Sequence, residues 1–423
     1  MQKLFRKMGV YAVCACFTLT ACVTNGNVGS GGSGGASGAS GPNVGPQLSS
    51  LFDPEGKAVV DPAKPRLDVV VPVFDPGLSE AGRNYEEEGV WPELRRAEAN
   101  RFALKLKEAL EKTGAFGAVR VTPDSSATGD LYVLGTIVES NGEDVEIKVE
   151  VVDVSGRTWF VRFFDHEVPA GFHKNTRNDG LDPYDPVFEE AANRVAHELD
   201  DYSIAELNNL GRLTELRFGS NFAEDAFAQH LETKRNTVAL RSFPSDADPM
   251  LERTRAVRVR DQLFVDGLQD HYRAFSAEMQ DSYLIWQEQS LFEIQARRDA
   301  NEEAIGEAAL GVLAIGLGVL AIIAGANSDF AAGQTAGVTG GVVAGTLGAT
   351  LLSSSFQTSK EAKVHREALA ELGESIDIDL APRVVAFNEK TVELTGTAKE
   401  QFAQWRAFLQ KVFEEERTPN VKL

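Results

Sequence analysis

The sequence predicts an α+β fold. A small strand–helix–meander α/β domain comes first, then a long-helix region with an apolar, Gly-rich helical hairpin. Three observations predict it. Residues 66–168 alternate β-branched runs with one helical pattern. From Pro249 an apolar spacing of three to four residues persists to about residue 303. Residues 304–356 are nearly free of charge and place small residues at helical spacing.

Taken in chain order, residues 1–21 read as a signal peptide. Lys3, Arg6 and Lys7 form a positive start, an apolar stretch runs from Met8 to about Phe17, and Leu19-Thr20-Ala21-Cys22 closes it. This resembles a bacterial lipoprotein signal with its lipobox, Leu-x-Ala-Cys. The resemblance implies cleavage before Cys22, a diacylglycerol on its thiol and an acyl group on its new amino group. An ordinary secretory signal or a short membrane anchor is the alternative. Val23 stands where inner-membrane lipoproteins of Gram-negative bacteria carry aspartate, so the resemblance implies the periplasmic face of the outer membrane. Of three cysteines, Cys14 and Cys16 would leave with the signal, and Cys22 would carry lipid. No disulfide framework or cysteine metal site is then expected. Losing Lys3, Arg6 and Lys7 takes the formal charge from −21 to −24. So acidic a chain is not expected to bind nucleic acid, which needs basic patches.

Residues 22–65 are the lipidated cysteine and a tether. The Gly/Ser-rich run 23–50 is expected to be flexible, with an r.m.s. reach of roughly 30 Å. G-x-G-x-x-G and G-x-S-x-G patterns fall at 29–34 and 31–35, but without a strand before and a helix after they reflect composition alone.

In the α/β domain, 66–168, RLDVVVPVFDPG reads as a buried strand stopped by Pro76-Gly77. Pro92 opens a helix that puts Leu94, Phe102, Leu106 and Leu110 on one face and ends at Gly114. Strands are expected at 118–123, 130–140, 143–154 and 157–168, with a hairpin at Asn141-Gly142. Val145, Ile147, Val149 and Val151 alternate with Glu146, Lys148 and Glu150, giving one buried and one wet face. This order of elements resembles the α/β domain of the curli-secretion lipoprotein and the penicillin-binding-protein activator lipoprotein. It implies a domain that binds protein partners or assembles into rings, and it carries no site residues across.

The helical region, 169–303, begins with a polar loop. Asn178, Asp179, Asp182 and Asp185 offer oxygens to a calcium ion, but without EF-hand spacing. Capping explains the same residues, with Asp185 as N-cap and Pro186 in the first turn. Helices are expected at about 186–211 and 221–235, then one long helix from Asp248-Pro249. Its stripe of Phe264, Leu268, Tyr272, Phe275, Met279, Tyr283 and Trp286 reads as core or a helix seam.

The hairpin, 304–356, has two arms of about 20 residues, each enough for roughly 30 Å of hydrocarbon. Gly311, Ala314, Gly318, Ala321 and Gly325 make one ridge. Gly333, Gly337, Gly341 and Gly345 make another. In water each interior glycine costs a helix roughly 1 kcal/mol. In lipid small residues let backbones approach, which is what associates helices there. The segment therefore reads as a glycine zipper packing on itself or on a neighbouring copy. Packing inside the protein's own helices is the alternative. Gly316-x-Gly318-x-x-Ala321 fits a degenerate dinucleotide pattern but lacks a βαβ unit.

Residues 357–423 close the chain with a helix at 361–372, short strands around Asn388-Glu389, and a last helix that Thr397 and Glu400 cap as a box. Phe402, Trp405, Leu409 and Phe413 give it an apolar face.

No catalytic constellation emerges. The six histidines, 166, 173, 197, 230, 271 and 365, are scattered; His197-Glu198 lacks a second histidine; no P-loop occurs. No enzyme activity, cofactor or metal is expected. As a whole the chain resembles Gram-negative outer-membrane lipoproteins with a C-terminal glycine zipper. The expected function is a lipid-anchored envelope assembly or scaffold protein, homo-oligomeric through its hairpin, with the membrane and an unidentified protein as partners. A periplasmic module regulating a partner such as a peptidoglycan synthase is the alternative.

Overall fold

Strand β1 (Val69–Pro72) is buried along its whole length, as its β-branched run requires. It lies between two parallel neighbours, β2 (Val119–Thr122) and β3 (Leu131–Ser140), so that Val69 is opposite both Val119 and Leu131. β4 (Asp144–Asp153) and β5 (Thr158–Glu167) continue the sheet antiparallel, in the order β2-β1-β3-β4-β5. Val145, Ile147, Val149 and Val151 are buried, and the charged residues between them are not, as their alternation predicts.

Helix α1 (Pro92–Thr113) starts with proline in its first turn and ends as Gly114 N–H closes on Glu111 O at 3.0 Å. Leu94, Phe102, Leu106 and Leu110 are buried as expected. Arg95, Glu98, Asn100, Arg101 and Lys107 are buried too. The helix is enclosed, not amphipathic: the sheet covers one side and helices from the rest of the chain cover the other.

The computed structural model describes residues 60–78, 85, 90–309, 360–387 and 390–417. All lie within one compact unit, Glu55–Leu423, so residues 66–168 share their core with the helices later in the chain. The expected helix 186–211 is two helices, α2 (Asp185–Glu198) and α3 (Ile204–Phe222). The break falls where Ser203 and Glu206 form a capping box. Asp185 is the first helical residue and not the N-cap. The expected helix 221–235 is corrected to one turn, α4 (Glu224–Phe227), and a hairpin of β6 (Leu231–Lys234) with β7 (Thr237–Leu240). Arg235 turns that hairpin at φ 55°, beside Asn236.

Helix α5 (Pro249–Ala309) is 61 residues, roughly 90 Å long. Asp248 Oδ1 caps it, accepting Met250 N–H at 2.8 Å and Leu251 N–H at 3.1 Å. Its aromatic stripe is core: Leu268, Tyr272, Met279 and Tyr283 are buried, and Phe264 stacks on Trp405 at 5.4 Å. The helix runs past residue 303, so its change of composition there is not a structural boundary. Among the described residues no helix is long and apolar enough to cross a membrane.

Helix α6 (Lys360–Leu372) returns along α5. Ser282 meets His365 at 3.0 Å, and further down His271 and Phe275 share a groove with Leu372 and Ile378. Numbers rise on one helix as they fall on the other, so the two are antiparallel. Gly373 then passes so close to α1 that a Cβ would strike Glu93 O. Strands β8 (Arg383–Phe387) and β9 (Lys390–Leu394) pair. Thr397 and Glu400 cap α7 (Ala398–Arg417) reciprocally, at 3.0 and 3.3 Å. Phe402, Trp405, Leu409 and Phe413 are buried, as its pattern predicts.

One sheet edge is finished by a side chain. Gln269 of α5 accepts Val121 N–H at 2.9 Å and donates to Val121 O at 2.8 Å, as a neighbouring strand would. Gln269→Ala is expected to leave two buried backbone groups of β2 unmet and to cost about 1–3 kcal/mol. Urea unfolding would show a lower midpoint with an unchanged slope; an unchanged midpoint would show that the amide does not close this edge.

Candidate functional site

The described residues converge on a polar cluster inside the molecule. Two helices build it. α1 contributes Glu98, Arg101 and Lys105, spaced three and four apart and therefore on one side. α5 contributes Ser276, Gln280, Tyr283 and Gln287, spaced four, three and four. The loop before α2 adds Asp182 and Tyr184, and the end of β3 adds Ser140.

Arg101 is the hub and is buried. Its guanidinium donates to Asp182 Oδ2 from Nη2 at 2.6 Å and from Nε at 3.2 Å. Nη1 donates to Ser276 O and Oγ, at 3.2 and 3.1 Å. Nη2 also donates to Gln280 Oε1 at 2.6 Å. The Tyr283 ring lies 4.8 Å from the guanidinium carbon, a cation–π contact. Asp182 further accepts from Gln287 Nε2 at 3.1 Å and from Tyr184 N–H at 3.0 Å. Burial works to raise the Asp182 pKa, but Arg101 and Lys105 prevail and hold it below the ordinary carboxylate range.

Glu98 lies one turn away and is fully buried. Its Oε1 accepts from Ser140 Oγ at 2.5 Å and from Tyr283 OH at 2.7 Å. Its Oε2 has no hydrogen bond, and Arg95 Nε stands 3.8 Å away. Burial pushes its pKa up to about 7, against the lowering effect of Arg95. Burial likewise raises Tyr184 and Tyr283, so both phenols stay protonated.

The cluster also grips a turn. Tyr184 OH accepts Gly142 N–H at 2.7 Å. Gly142, at φ 97°, lies flush on α5, where any Cβ would overlap Ser290. Next to it Glu143 takes both arms of Arg298, at 2.9 and 2.6 Å. The β3–β4 turn is thus bolted to the long helix at residues 287–298.

Three surface cavities, of about 650, 410 and 480 Å³, are lined by no member of this cluster. Its side chains are spent on one another, so the cluster holds and orients the elements that meet there. Asp182 pairs with Arg101, and no group of metal-binding side chains occurs among the described residues. The Ser282–His365 pair has no carboxylate contact on the histidine among the described residues.

Cys22 and the ridge residues Gly311, Ala314, Gly318, Ala321, Gly325, Gly333, Gly337, Gly341 and Gly345 lie outside the described residues. Sequence reasoning places Tyr283 in the core stripe but misses Glu98 and Arg101. On α1 the spacing of these two charges reads as a wet face, and only the enclosure of the helix makes it a buried one.

Ionisation sets a pH dependence. Glu98 holds its proton to a higher pH folded (about 7) than unfolded (4.5). Its contribution is fully present below pH 4.5 and is lost as pH rises towards 7. Over that window it amounts to roughly 3 kcal/mol. Glu98→Gln, which mimics the protonated acid, is expected to flatten this part of the stability profile, read by urea unfolding at a series of pH values. A parallel, undiminished slope in the variant would remove Glu98 as its source. Arg101→Met should cost about 3–5 kcal/mol by stranding the Asp182 charge.

No family model matches the chain, and no curated protein or solved structure matches it either.

Proposed function

We propose that the chain is a lipid-anchored envelope assembly or scaffold protein. Cys22 would hold it at the periplasmic face of the outer membrane, and the small-residue ridges of 304–356 would join copies to one another in or on that membrane. The observation that carries this reading is the antiparallel course of α5 and α6. α5 is described to Ala309, and α6, described from Lys360, runs antiparallel beside it. About 50 residues join these two antiparallel helices, a length that accommodates an out-and-back segment. The bolted joint at Gly142, Glu143 and Arg298 supports the same reading, because a scaffold must hold its connecting helix at a set angle. The function needs neither cofactor nor catalytic residue.

The test separates the places where the ridges could pack. Gly341→Leu and Gly337→Leu should push helices apart, giving a smaller detergent-extracted complex with unchanged helicity and membrane fraction. Val343→Leu, off the ridge, should be nearly silent. Unchanged complex size with a lower melting temperature would place the ridges inside the protein's own helices, at an overpacking cost of about 1–3 kcal/mol. Unchanged size and melting together would end the zipper reading. Cys22→Ser should abolish acyl labelling and membrane retention; normal acylation in that variant would end the lipoprotein reading.

A further inference from the structure

The two edges of the five-stranded sheet are finished differently. Gln269 closes β2, whereas β5 has no strand beyond it among the described residues. Hydrogen bonding fixes which of its groups face outward. Val168 donates its N–H to Glu143 O at 2.8 Å, which makes 143 and 168 a hydrogen-bonded pair. The register then runs from Asp144 opposite Glu167 to Glu150 opposite Val161. Bonded pairs alternate along an antiparallel ladder, so His166, Phe164 and Arg162 bond β4. The backbone N–H and C=O groups of Val161, Phe163, Asp165 and Glu167 point away from the sheet.

The side chains of those same four residues stand on the solvent face. Phe163 and Val161 are 55% and 48% exposed. The register also sets acid against acid, Glu146 opposite Asp165 and Asp144 opposite Glu167. Like charges directly opposed destabilise a sheet. Long edges are normally blunted by charged side chains, proline or a bulge; from Phe160 to Glu167 β5 has no proline and no bulge, and the charges on its solvent face, Asp165 and Glu167, are all acidic.

We propose that β5 is a docking edge for an extended segment of a partner protein, added as a sixth strand, with apolar and basic residues on its solvent face. Main-chain hydrogen bonds supply the affinity. Valine-like side chains cover Val161 and Phe163, and lysine or arginine meets Asp165 and Glu167. Charge complementarity favours this occupant over a second copy. In antiparallel self-pairing, outward-facing residues meet outward-facing residues. Each copy then offers only Val161, Phe163, Asp165 and Glu167, with no base among them.

The experiment uses the full chain with a synthetic decapeptide of alternating lysine and valine, and its glutamate–valine counterpart. The lysine peptide should slow hydrogen exchange at the Val161, Phe163 and Asp165 amides about tenfold or more, and the glutamate peptide should not. Phe163→Pro removes one outward N–H and no ladder bond, so it should abolish this protection. Asp165→Lys should weaken binding at least about tenfold without touching the backbone. The proposal fails if the lysine peptide binds both variants as well as the native chain, which would mean unselective attraction to an acidic surface. It fails if the outward amides are not slowed. It fails, too, if they are already protected in the free chain in a concentration-dependent way, since a second copy then holds the edge.

Discussion

The structure around α1 depends on neutralising one charge where water does not reach. Arg101 is enclosed by the sheet side of the molecule and by α5, and Asp182 is the carboxylate that meets it. Such a pair adds little stability relative to a well-packed apolar pair, but losing one partner is expensive. Its value here is directional. An apolar seam between α1 and α5 would permit sliding by a fraction of a turn. Hydrogen bonds from one guanidinium to Asp182, Ser276 and Gln280 allow one alignment. Tyr283 then fixes Glu98, and Tyr184 fixes Gly142, so the register passes from helix to sheet.

How much of this is legible in the sequence varies with the physics of each element. Alternation in β4 and the stripe on α7 are readable because one side of each faces water. Thr397 with Glu400 reads as a box, whereas Ser203 with Glu206, the same signature, is hidden inside an apparently continuous helix. The β6–β7 hairpin passes for helix because its turn, Arg235-Asn236, lacks glycine and needs a positive φ from arginine. The buried cluster is illegible for another reason. Charges at 98, 101 and 105 have the spacing of a solvated face, and only non-local packing by α5, some 180 residues later, puts them inside.

The features that look outward gather near one end of α5. Glu167, the last residue of the open strand, lies 3.8 Å from Arg298, and Arg298 holds Glu143 in the turn that Gly142 seats on the helix. The rigid interior and the open strand therefore share a residue. The binding and scaffolding readings of this chain are not exclusive, because the surface suited to one adjoins the helix needed by the other.

The bolting of α5 at Arg298 also has a rotational meaning. Eleven residues separate Arg298 from Ala309, the last described residue of the helix. At 3.6 residues per turn that is close to three full turns, about 16 Å of axial rise. Ala309 therefore lies at nearly the same helical azimuth as Arg298. α5 acts like a keyed shaft: the joint at Arg298 sets the angular phase of the helix up to Ala309. Adding or deleting one residue between 299 and 308 would turn that phase by about 100° while leaving the Arg298–Glu143 joint in place.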